Sequence, residues 1–312
     1  MPQSFTAAVV QAASLPSDAL ASARKAASLI AEAGAHGAKL IVFPEAFIGG
    51  YPKGASFGTP VGLRKPQGRE DFRAYHQNAI ALDGAEVAII ADAVAAADVF
   101  LAIGVIERDG GTLYCTALFF DGAKGLVAKH RKLMPTGAER LIWGFGDGST
   151  LPVLDTPLGR IGAVICWENY MPMLRMAMYD QGVTLYCAPT ADDRDTWPAT
   201  MQHVAMEGRC FVFSSCQHIT RGAYPVDYDC ALGDDPATVL MRGGSMIVGP
   251  LGEILVGPDY TPETILYAKI DPDAVPRAKY DFDVVGHYAR PDIFSLSVNV
   301  APQPAVKRTD AL

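Results

Sequence analysis

The sequence lacks an excess of positive charge. It contains 26 Lys and Arg residues against 34 Asp and Glu residues, which gives a formal net charge of −8 at pH 7. A nucleic-acid-binding protein usually has a basic surface, and a helix that binds a membrane surface usually carries a run of basic residues. The sequence offers neither feature, so we expect no nucleic-acid partner and no membrane partner.

Long hydrophobic runs are also missing. The longest nearly apolar stretch, residues 93–106, is interrupted by Asp98 and Gly104, and it is shorter than the ~20 apolar residues that cross a bilayer. The first residues, MPQSF, lack the charged and apolar regions of a signal peptide. These observations predict a cytoplasmic location.

The six cysteines form no Cys-x-x-Cys pair, which argues against a zinc ribbon and against a thioredoxin motif. Cysteine and histidine residues are scattered without the spacing of metal ligands, so we predict no metal and no cofactor. Free cysteines are usually small buried hydrophobic residues, and in a reducing compartment they remain thiols. We interpret all but one of the six in this way.

Short β-rich runs alternate with helical patterns along the whole chain, and no Pro/Ser-rich linker separates them. This order predicts one α/β domain in which helices cover sheets. The predicted strands cover residues 6–11, 39–43, 99–106, 114–120, 160–166, 183–188, 210–215, 245–248 and 265–270. The predicted helices cover residues 18–30, 84–97, 172–182 and 198–207. The residues after Asp271 are richer in proline and charge, and we expect them to form an arm.

A glutamate follows one of the predicted core strands. Residues 40–43, LIVF, are apolar, and the chain then passes through Pro44 to Glu45. The strand therefore delivers a carboxylate to the edge of a sheet. Taken alone, the segment is more typical of a solvated loop carboxylate.

A basic cluster, KHRK, occupies residues 129–132. Such a cluster usually faces solvent, and we expect this of Lys129 and Arg131. Lys132 is followed by the segment LMP, and it is the member that we expect to turn inward.

Cys166 lies where a predicted strand gives way to a helix started by Pro172. A cysteine on such a turn is displayed at a sheet edge near backbone N–H groups, which favour the thiolate and stabilise an oxyanion. A glutamate can act as its base if burial raises the carboxyl pKa. We interpret the histidines as structural, which argues against a papain-like Cys-His pair.

These segments resemble the signature segments of the carbon–nitrogen hydrolase (nitrilase) superfamily. They read FPEAF at 43–47 with GYP at 50–52, KHRKLMPT at 129–136 with ER at 139–140, and CWENYMP at 166–172. The resemblance implies a four-layer α-β-β-α sandwich over residues 1–271, with residues 272–312 as an arm packed on the domain or on a dimer interface. It also implies a catalytic triad of Glu45, Lys132 and Cys166, with Glu139 orienting the lysine and the substrate.

Three features are similar to true nitrilases: the run CWEN, the segment APTADDRDTW at 188–197, and the segment DFDVVGHYARP at 281–291. The resemblance therefore implies hydrolysis of an organic nitrile to a carboxylic acid and ammonia through a thioimidate and a thioester on the cysteine. Candidate pocket walls are Tyr51, Trp167, Glu168 and Trp197, although Trp167 suits core packing equally well.

Two other hydrolytic outcomes stay open on this fold, namely an aliphatic amidase and hydration of the nitrile to the amide. A non-catalytic binding or assembly protein predicts a damaged triad, whereas all three triad positions are intact. We expect a small-molecule nitrile as ligand and a homodimer or higher homo-oligomer, but not long filaments, because the segment after the GHY motif is short. The sequence leaves the nitrile open among aliphatic, arylaliphatic, aromatic and cyano amino acid types.

Overall fold

Fourteen strands and six α-helices make up the computed structural model, which describes residues 3–306. The strands are β1 (Phe5–Gln11), β2 (Ala38–Val42), β3 (Phe100–Asp109), β4 (Thr112–Asp121), β5 (Gly125–Arg131), β6 (Val153–Thr156), β7 (Gly159–Ala163), β8 (Leu185–Thr190), β9 (Phe211–Cys216), β10 (His218–Thr220), β11 (Val239–Arg242), β12 (Ser245–Val248), β13 (Ile254–Asp259) and β14 (Thr264–Ile270). The helices are α1 (Ala19–Ala35), α2 (Pro66–Asn78), α3 (Ala85–Ala97), α4 (Pro172–Asp180), α5 (Trp197–Gly208) and α6 (Ala274–Ala278).

Two six-stranded sheets form the centre of the molecule. The first has the strand order β14-β1-β2-β3-β4-β5, and the second has the order β13-β12-β9-β8-β7-β6. The central strands of each sheet are parallel, namely β1 to β3 in the first and β7 to β9 in the second, and antiparallel strands flank them on both sides. Parallel strands are covered on both faces, which explains why their sequences are almost continuously apolar.

Three layers of apolar side chains hold the sheets and helices together. Alternate residues of β1 point to opposite faces, so Ala7 and Val9 pack between the two sheets while Ala8 and Val10 pack against α1 and α3. A third layer lies between the second sheet and helices α4 and α5. This arrangement confirms the α-β-β-α sandwich implied by the resemblance.

Helix α1 begins as predicted and ends later than predicted. The Asp18 carboxylate accepts a hydrogen bond from the N–H of Ala21 at 2.8 Å, which is the expected N-cap. The helix continues through Gly34. At this position the glycine allows α1 to approach α3 closely. A Cβ at Gly34 would lie 2.9 Å from the Cβ of Ala97. In a sequence pattern, a glycine usually indicates the end of a helix. Gly34 instead lies inside α1, because a larger residue would clash with α3.

Strands β3 and β4 form a hairpin whose turn lies in the segment DGG at residues 109–111. Asp109 of β3 pairs with Thr112 of β4, and the two intervening glycines form the turn. Gly110 has a φ of +58°, which a glycine adopts without steric cost.

The segment after β14 begins with the short helix α6, whose Val275 and Ala278 are buried. The chain then runs exposed along the surface, and the N–H of Gln303 donates to the Asp147 carboxylate at 2.8 Å. The first two residues of the predicted domain and the last six of the predicted arm lie outside the described residues. Within the described range, no helix is both long enough and apolar enough to cross a membrane.

Replacing Leu40 with Ala should destabilise the fold strongly. Leu40 is fully buried between the two sheets, and a cavity at such a site costs about 2–5 kcal/mol of unfolding free energy. The matched control is Leu63→Ala, because Leu63 is 56% exposed and its truncation should change the free energy by less than about 0.5 kcal/mol. Urea denaturation of both variants checks this, and equal losses would contradict the layered core.

Candidate active site

Cys166 lies on a tight turn directly after the second sheet. The strand β7 ends at Ala163 rather than at Cys166, and residues Cys166–Tyr170 form a 3-10 turn that leads into α4. The φ of Cys166 is +53°, a conformation that costs energy for a residue with a side chain and is often found at functional sites. The fold therefore presents this sulfur at the end of a core strand, as the sequence predicts.

The turn is held by its own polar side chains. The amide of Asn169 donates to the carbonyl oxygens of Val164 and Cys166 at 3.0 and 2.8 Å. The Glu168 carboxylate accepts from the N–H of Ile165 at 2.8 Å. The turn is thus fixed on both sides of the cysteine.

The thiol of Cys166 is almost completely buried, and it accepts a hydrogen bond from the hydroxyl of Thr190 at 3.2 Å. Burial raises the pKa of this thiol above its usual value, and the Glu45 carboxylate raises it further. Lys132 acts in the opposite direction, followed by the Thr190 hydroxyl. The net effect favours the neutral thiol at rest, so attack by the sulfur requires a base.

Lys132 follows β5, and its side chain is buried. Its ammonium group donates to Glu45 Oε1 at 2.7 Å and to Glu139 Oε2 at 2.8 Å. Burial by itself lowers the pKa of Lys132, but the facing carboxylates and cysteine thiols raise it well above the usual value for lysine. Lys132 is therefore a permanent cation between two acidic groups.

Glu45 lies in the turn after β2, fully buried. Gly104 of β3 makes room for this turn, since a Cβ on Gly104 would lie 2.6 Å from the Cα of Glu45. Burial raises the carboxyl pKa of Glu45, and Lys132 opposes the rise. Among the described residues, Glu45 Oε2 has no hydrogen-bond partner, although it is buried.

Glu139 is bound from three directions. Besides Lys132, its carboxylate accepts from the N–H of Thr136 at 2.7 Å and from the hydroxyl of Tyr51 at 2.7 Å. The contact with Thr136 is half of a capping box that closes the turn Gly137–Leu141. One carboxylate thus orients the lysine and also stabilises its own loop.

A cavity of about 330 Å³ opens over this cluster. Tyr51 and Glu139 line it, and burial raises the pKa of Tyr51 well above its usual value, with smaller contributions from Glu139, Glu45 and Cys166. The other lining residues are mostly small or apolar: Pro52, Lys53, Gly54, Ala55, Ser56, Phe57, Thr136, Ala138, Leu141, Ile142 and Ala231. Cys166 is not among the residues that line this cavity.

Two predicted pocket residues are placed elsewhere by the structure. Glu168 is buried and accepts from the N–H of Leu133 at 2.6 Å as well as from the N–H of Ile165. Trp197 is buried in the layer beneath α5, where its indole N–H donates to Ser214 at 2.8 Å. Both side chains are fully engaged inside the fold, which corrects the expectation that they form pocket walls.

Trp167 is 41% exposed beside the cysteine turn, and this exposure argues against core packing. Its indole N–H donates to the Asp192 carboxylate at 2.8 Å, and the guanidinium of Arg194 lies over its ring. The structure therefore places Trp167 at the surface near Cys166 but not among the residues that line the cavity.

The basic cluster divides between two environments. Lys129 and Arg131 both donate to the buried carboxylate of Glu107, at 2.6 and 2.9 Å, so the expectation that they are solvated is wrong. His130 and Lys132 face the interior. Because β5 is a strand, alternate side chains point to opposite faces, and this periodicity was the signal that could have separated the two pairs.

Two polar neighbours of the cysteine and glutamate were not predicted as site residues. Thr190, at the end of β8, contacts Cys166, and Cys115 in β4 contacts Glu45. The segment APTADDRDTW includes Thr190 without distinguishing it from its neighbours, and the local pattern around Cys115 is that of a core residue. Among the described residues, no group of three or more His, Cys, Asp or Glu side chains is arranged to hold a metal ion.

Comparison with protein-family models identifies the family. The model described as carbon-nitrogen hydrolase matches residues 6–280. The chain belongs to the carbon–nitrogen hydrolase family. A carbon–nitrogen hydrolase from Helicobacter pylori G27 has the same fold, with a TM-score of 0.73, 19% identity, and coverage of 94% of this chain and 97% of that chain.

Three curated relatives of this carbon–nitrogen hydrolase are named as nitrilases. Nitrilase blr3397 of Bradyrhizobium diazoefficiens is 68% identical, over 100% of this chain and 97% of the relative. The aliphatic nitrilase of Sinorhizobium fredii is 61% identical, over 97% of this chain and 98% of the relative. A bifunctional nitrilase/nitrile hydratase of Nicotiana tabacum is 54% identical, over 94% of this chain and 85% of the relative. The chain is an enzyme of the nitrilase branch.

Replacing His130 with Gln should make stability less dependent on pH. Both ring nitrogens of His130 face acceptors, the Thr150 carbonyl at 2.6 Å and the Glu168 carboxylate at 2.9 Å, and this arrangement suits the doubly protonated ring. Burial lowers the pKa of His130, but the charge and hydrogen bond of Glu168 raise it above the usual 6.5.

The stabilisation from this pair is therefore complete below pH 6.5 and is lost as the pH rises through the raised pKa. At low pH the substitution should cost about 3 kcal/mol or more, and the difference from the unmodified protein should shrink as the pH increases. Urea denaturation across pH measures it. His203→Gln is the control, because His203 is exposed on α5. A difference that grows with pH would contradict the assignment.

Proposed function

We propose that the enzyme hydrolyses an organic nitrile to the carboxylic acid and ammonia, with Cys166 as nucleophile, Glu45 as base and Lys132 as the fixed cation. The observation that carries this proposal is the buried ammonium of Lys132, which is bonded to two carboxylates beside a cysteine on a strained turn. The nitrilase names of the relatives at 54–68% identity support the choice of a nitrile.

The first half of the proposed reaction forms a covalent thioimidate. Glu45 accepts the proton of the Cys166 thiol, and the sulfur attacks the nitrile carbon. The nitrile nitrogen then receives this proton, so one S–C bond is formed and no group leaves. Lys132 stabilises the negative charge that develops on the nitrogen, and in a buried site such a charge interaction is stronger than in water.

The second half uses two water molecules. Glu45 takes a proton from the first water, whose oxygen adds to the thioimidate carbon, and returns this proton to the nitrogen, which gives a tetrahedral intermediate with one hydroxyl and one amino group. The hydroxyl proton passes to the nitrogen through Glu45 as the C–N bond breaks, so ammonia leaves and a thioester remains on Cys166. The second water releases the carboxylic acid and restores the thiol, so each nitrile consumes two waters and yields one acid and one ammonia.

Glu45 suits the role of base because burial raises its carboxyl pKa, which brings it closer to the pH at which a base works best. Its free oxygen, Oε2, is buried and available for a proton. We assign Glu139 a positioning role, because its carboxylate holds the lysine from the side opposite Glu45. Tyr51 is the residue that we expect a bound nitrile to contact, since it lines the cavity and bonds Glu139.

A second outcome, release of an amide, follows from the same intermediate. If the C–S bond of the tetrahedral intermediate breaks instead of the C–N bond, the product is an amide and no ammonia is formed. The tobacco relative is named as both nitrilase and nitrile hydratase, which favours partial amide release over amidase activity.

We also propose a homodimer or higher homo-oligomer in which residues 272–312 act as an arm. The described part of the arm exposes large apolar side chains, including Phe294 at 76% and Val300 at 68%. Exposed apolar groups of this kind are typical of a surface covered by a partner. A cytoplasmic location stays a prediction from the sequence.

Each of the substitutions Cys166→Ala, Glu45→Gln and Lys132→Met should reduce nitrile turnover by about 10⁴-fold or more, because these groups act as a unit. Ammonia release from an aliphatic nitrile is the measurement. Cys210→Ala is the matched control, since Cys210 is a buried cysteine in the layer beneath α5 and should leave the activity nearly unchanged. Turnover by Cys166→Ala at the level of the unmodified enzyme would reject the nucleophile assignment.

The enzyme should convert an aliphatic nitrile much faster than the corresponding amide, with the acid as main product. Both routes expel ammonia from a tetrahedral intermediate, so this expectation follows from the nitrilase names of the relatives and not from the leaving group. Acid, amide and ammonia are quantified together by chromatography from butyronitrile and from butyramide. Faster conversion of butyramide would favour the aliphatic amidase instead.

A further inference from the structure

Cys115 is a second cysteine in direct contact with the glutamate of the site. It lies near the middle of β4 and is 1% exposed. Its thiol donates to Glu45 Oε1 at 3.3 Å, and its backbone carbonyl accepts from the N–H of Lys132 at 2.8 Å. One residue therefore bonds the side chain of the glutamate and the main chain of the lysine, although it has no part in the reaction as proposed.

The two oxygens of the Glu45 carboxylate have unequal surroundings. Oε1 accepts from both Lys132 and Cys115, at 2.7 and 3.3 Å, whereas Oε2 has no partner among the described residues. The terminal torsion of a glutamate is broad and nearly two-fold, so a single donor on one oxygen leaves the plane of the carboxylate free to turn. A second donor from another direction fixes that plane.

We propose that Cys115 is a positioning residue for Glu45: its thiol bonds Oε1 and thereby keeps Oε2 directed at the reacting groups. The proposal rests on the role of Glu45 as base. Cys115 acts only through Glu45, since it is not among the residues that line the cavity. Its own proton stays on the sulfur throughout the reaction.

A thiol suits this position better than a stronger donor. Burial raises the pKa of the Cys115 thiol well above its usual value, so the group remains a neutral donor and does not compete with Cys166 as a nucleophile. A hydrogen bond to the ionised carboxylate lowers the carboxyl pKa, and the S–H group of Cys115 lowers the pKa of Glu45 less than Lys132 does. Glu45 is thus held in place while it remains basic.

The test compares Cys115→Ala, Cys115→Val and Cys115→Ser in kinetics on an aliphatic nitrile across pH. Alanine and valine both remove the donor, and valine also fills the space left by the sulfur. Activity is lost as the pH falls through the pKa of Glu45, so loss of the donor should move the acid limb of kcat/KM upward by about half a pH unit to one pH unit. Serine keeps a donor and should return the limb toward its original position.

The plateau values give a second readout. We expect kcat to fall about three- to tenfold in the alanine and valine variants, because misorientation of a base lowers the rate of proton transfer, while KM stays within about twofold. Serine should restore most of kcat. A residue that only fills space would respond to volume, so valine would then resemble the unmodified enzyme and alanine would not.

Two results would overturn the proposal. In the first, Cys115→Ala and Cys115→Val leave the acid limb of kcat/KM unchanged, and they lose only as much thermal stability as Cys210→Ala does. The other is a serine variant that shifts as far as alanine does. Should alanine fail to fold, valine supplies the donor-free variant. Glu45→Gln separates this proposal from the proposed function, since an active Glu45→Gln enzyme would reject the base itself, whatever the Cys115 variants do.

Discussion

The ammonium of Lys132, buried between Glu45 and Glu139, is the interaction on which the rest of the site depends. Burying three charged groups is costly unless each is paired and hydrogen-bonded, and removal of one partner leaves an uncompensated charge in a region of low polarity. The structure meets this condition with Tyr51 and Thr136 on Glu139. Burial, and after it the Glu45 carboxylate, raises the pKa of the neighbouring Cys166 thiol and favours its neutral form.

The sandwich brings the lysine and the cysteine together because each of the two sheets supplies one of them. Lys132 follows a strand of the first sheet, and Cys166 follows a strand of the second. Glu168 joins them, since its carboxylate accepts from Leu133 beside the lysine and from Ile165 beside the cysteine, at 2.6 and 2.8 Å. A residue that sequence reasoning placed at the pocket wall thus acts as a link between the two sheets.

The sequence predicted the layers and the family well. Apolar strands and the signature segments around Glu45, Lys132 and Cys166 are local features, which a sequence shows directly. It did not predict α2, because this helix is mostly polar and its contact with the core is made mainly by Phe72 and Tyr75, and two such residues give only a weak periodic signal. It also placed Lys129 and Arg131 in solvent, because their partner Glu107 lies on another strand. Pairings across a sheet depend on register, and a single sequence does not reveal register.

Glu139 couples the shape of the cavity to the charge of the lysine. The same carboxylate closes the turn Gly137–Leu141 and bonds Lys132, and that turn contributes Ala138 and Leu141 to the cavity wall. A ligand too bulky for the wall must push this turn outward and carry the carboxylate with it. Such a ligand would occupy the enzyme without being processed, so discrimination between substrates of different size falls on turnover more than on binding.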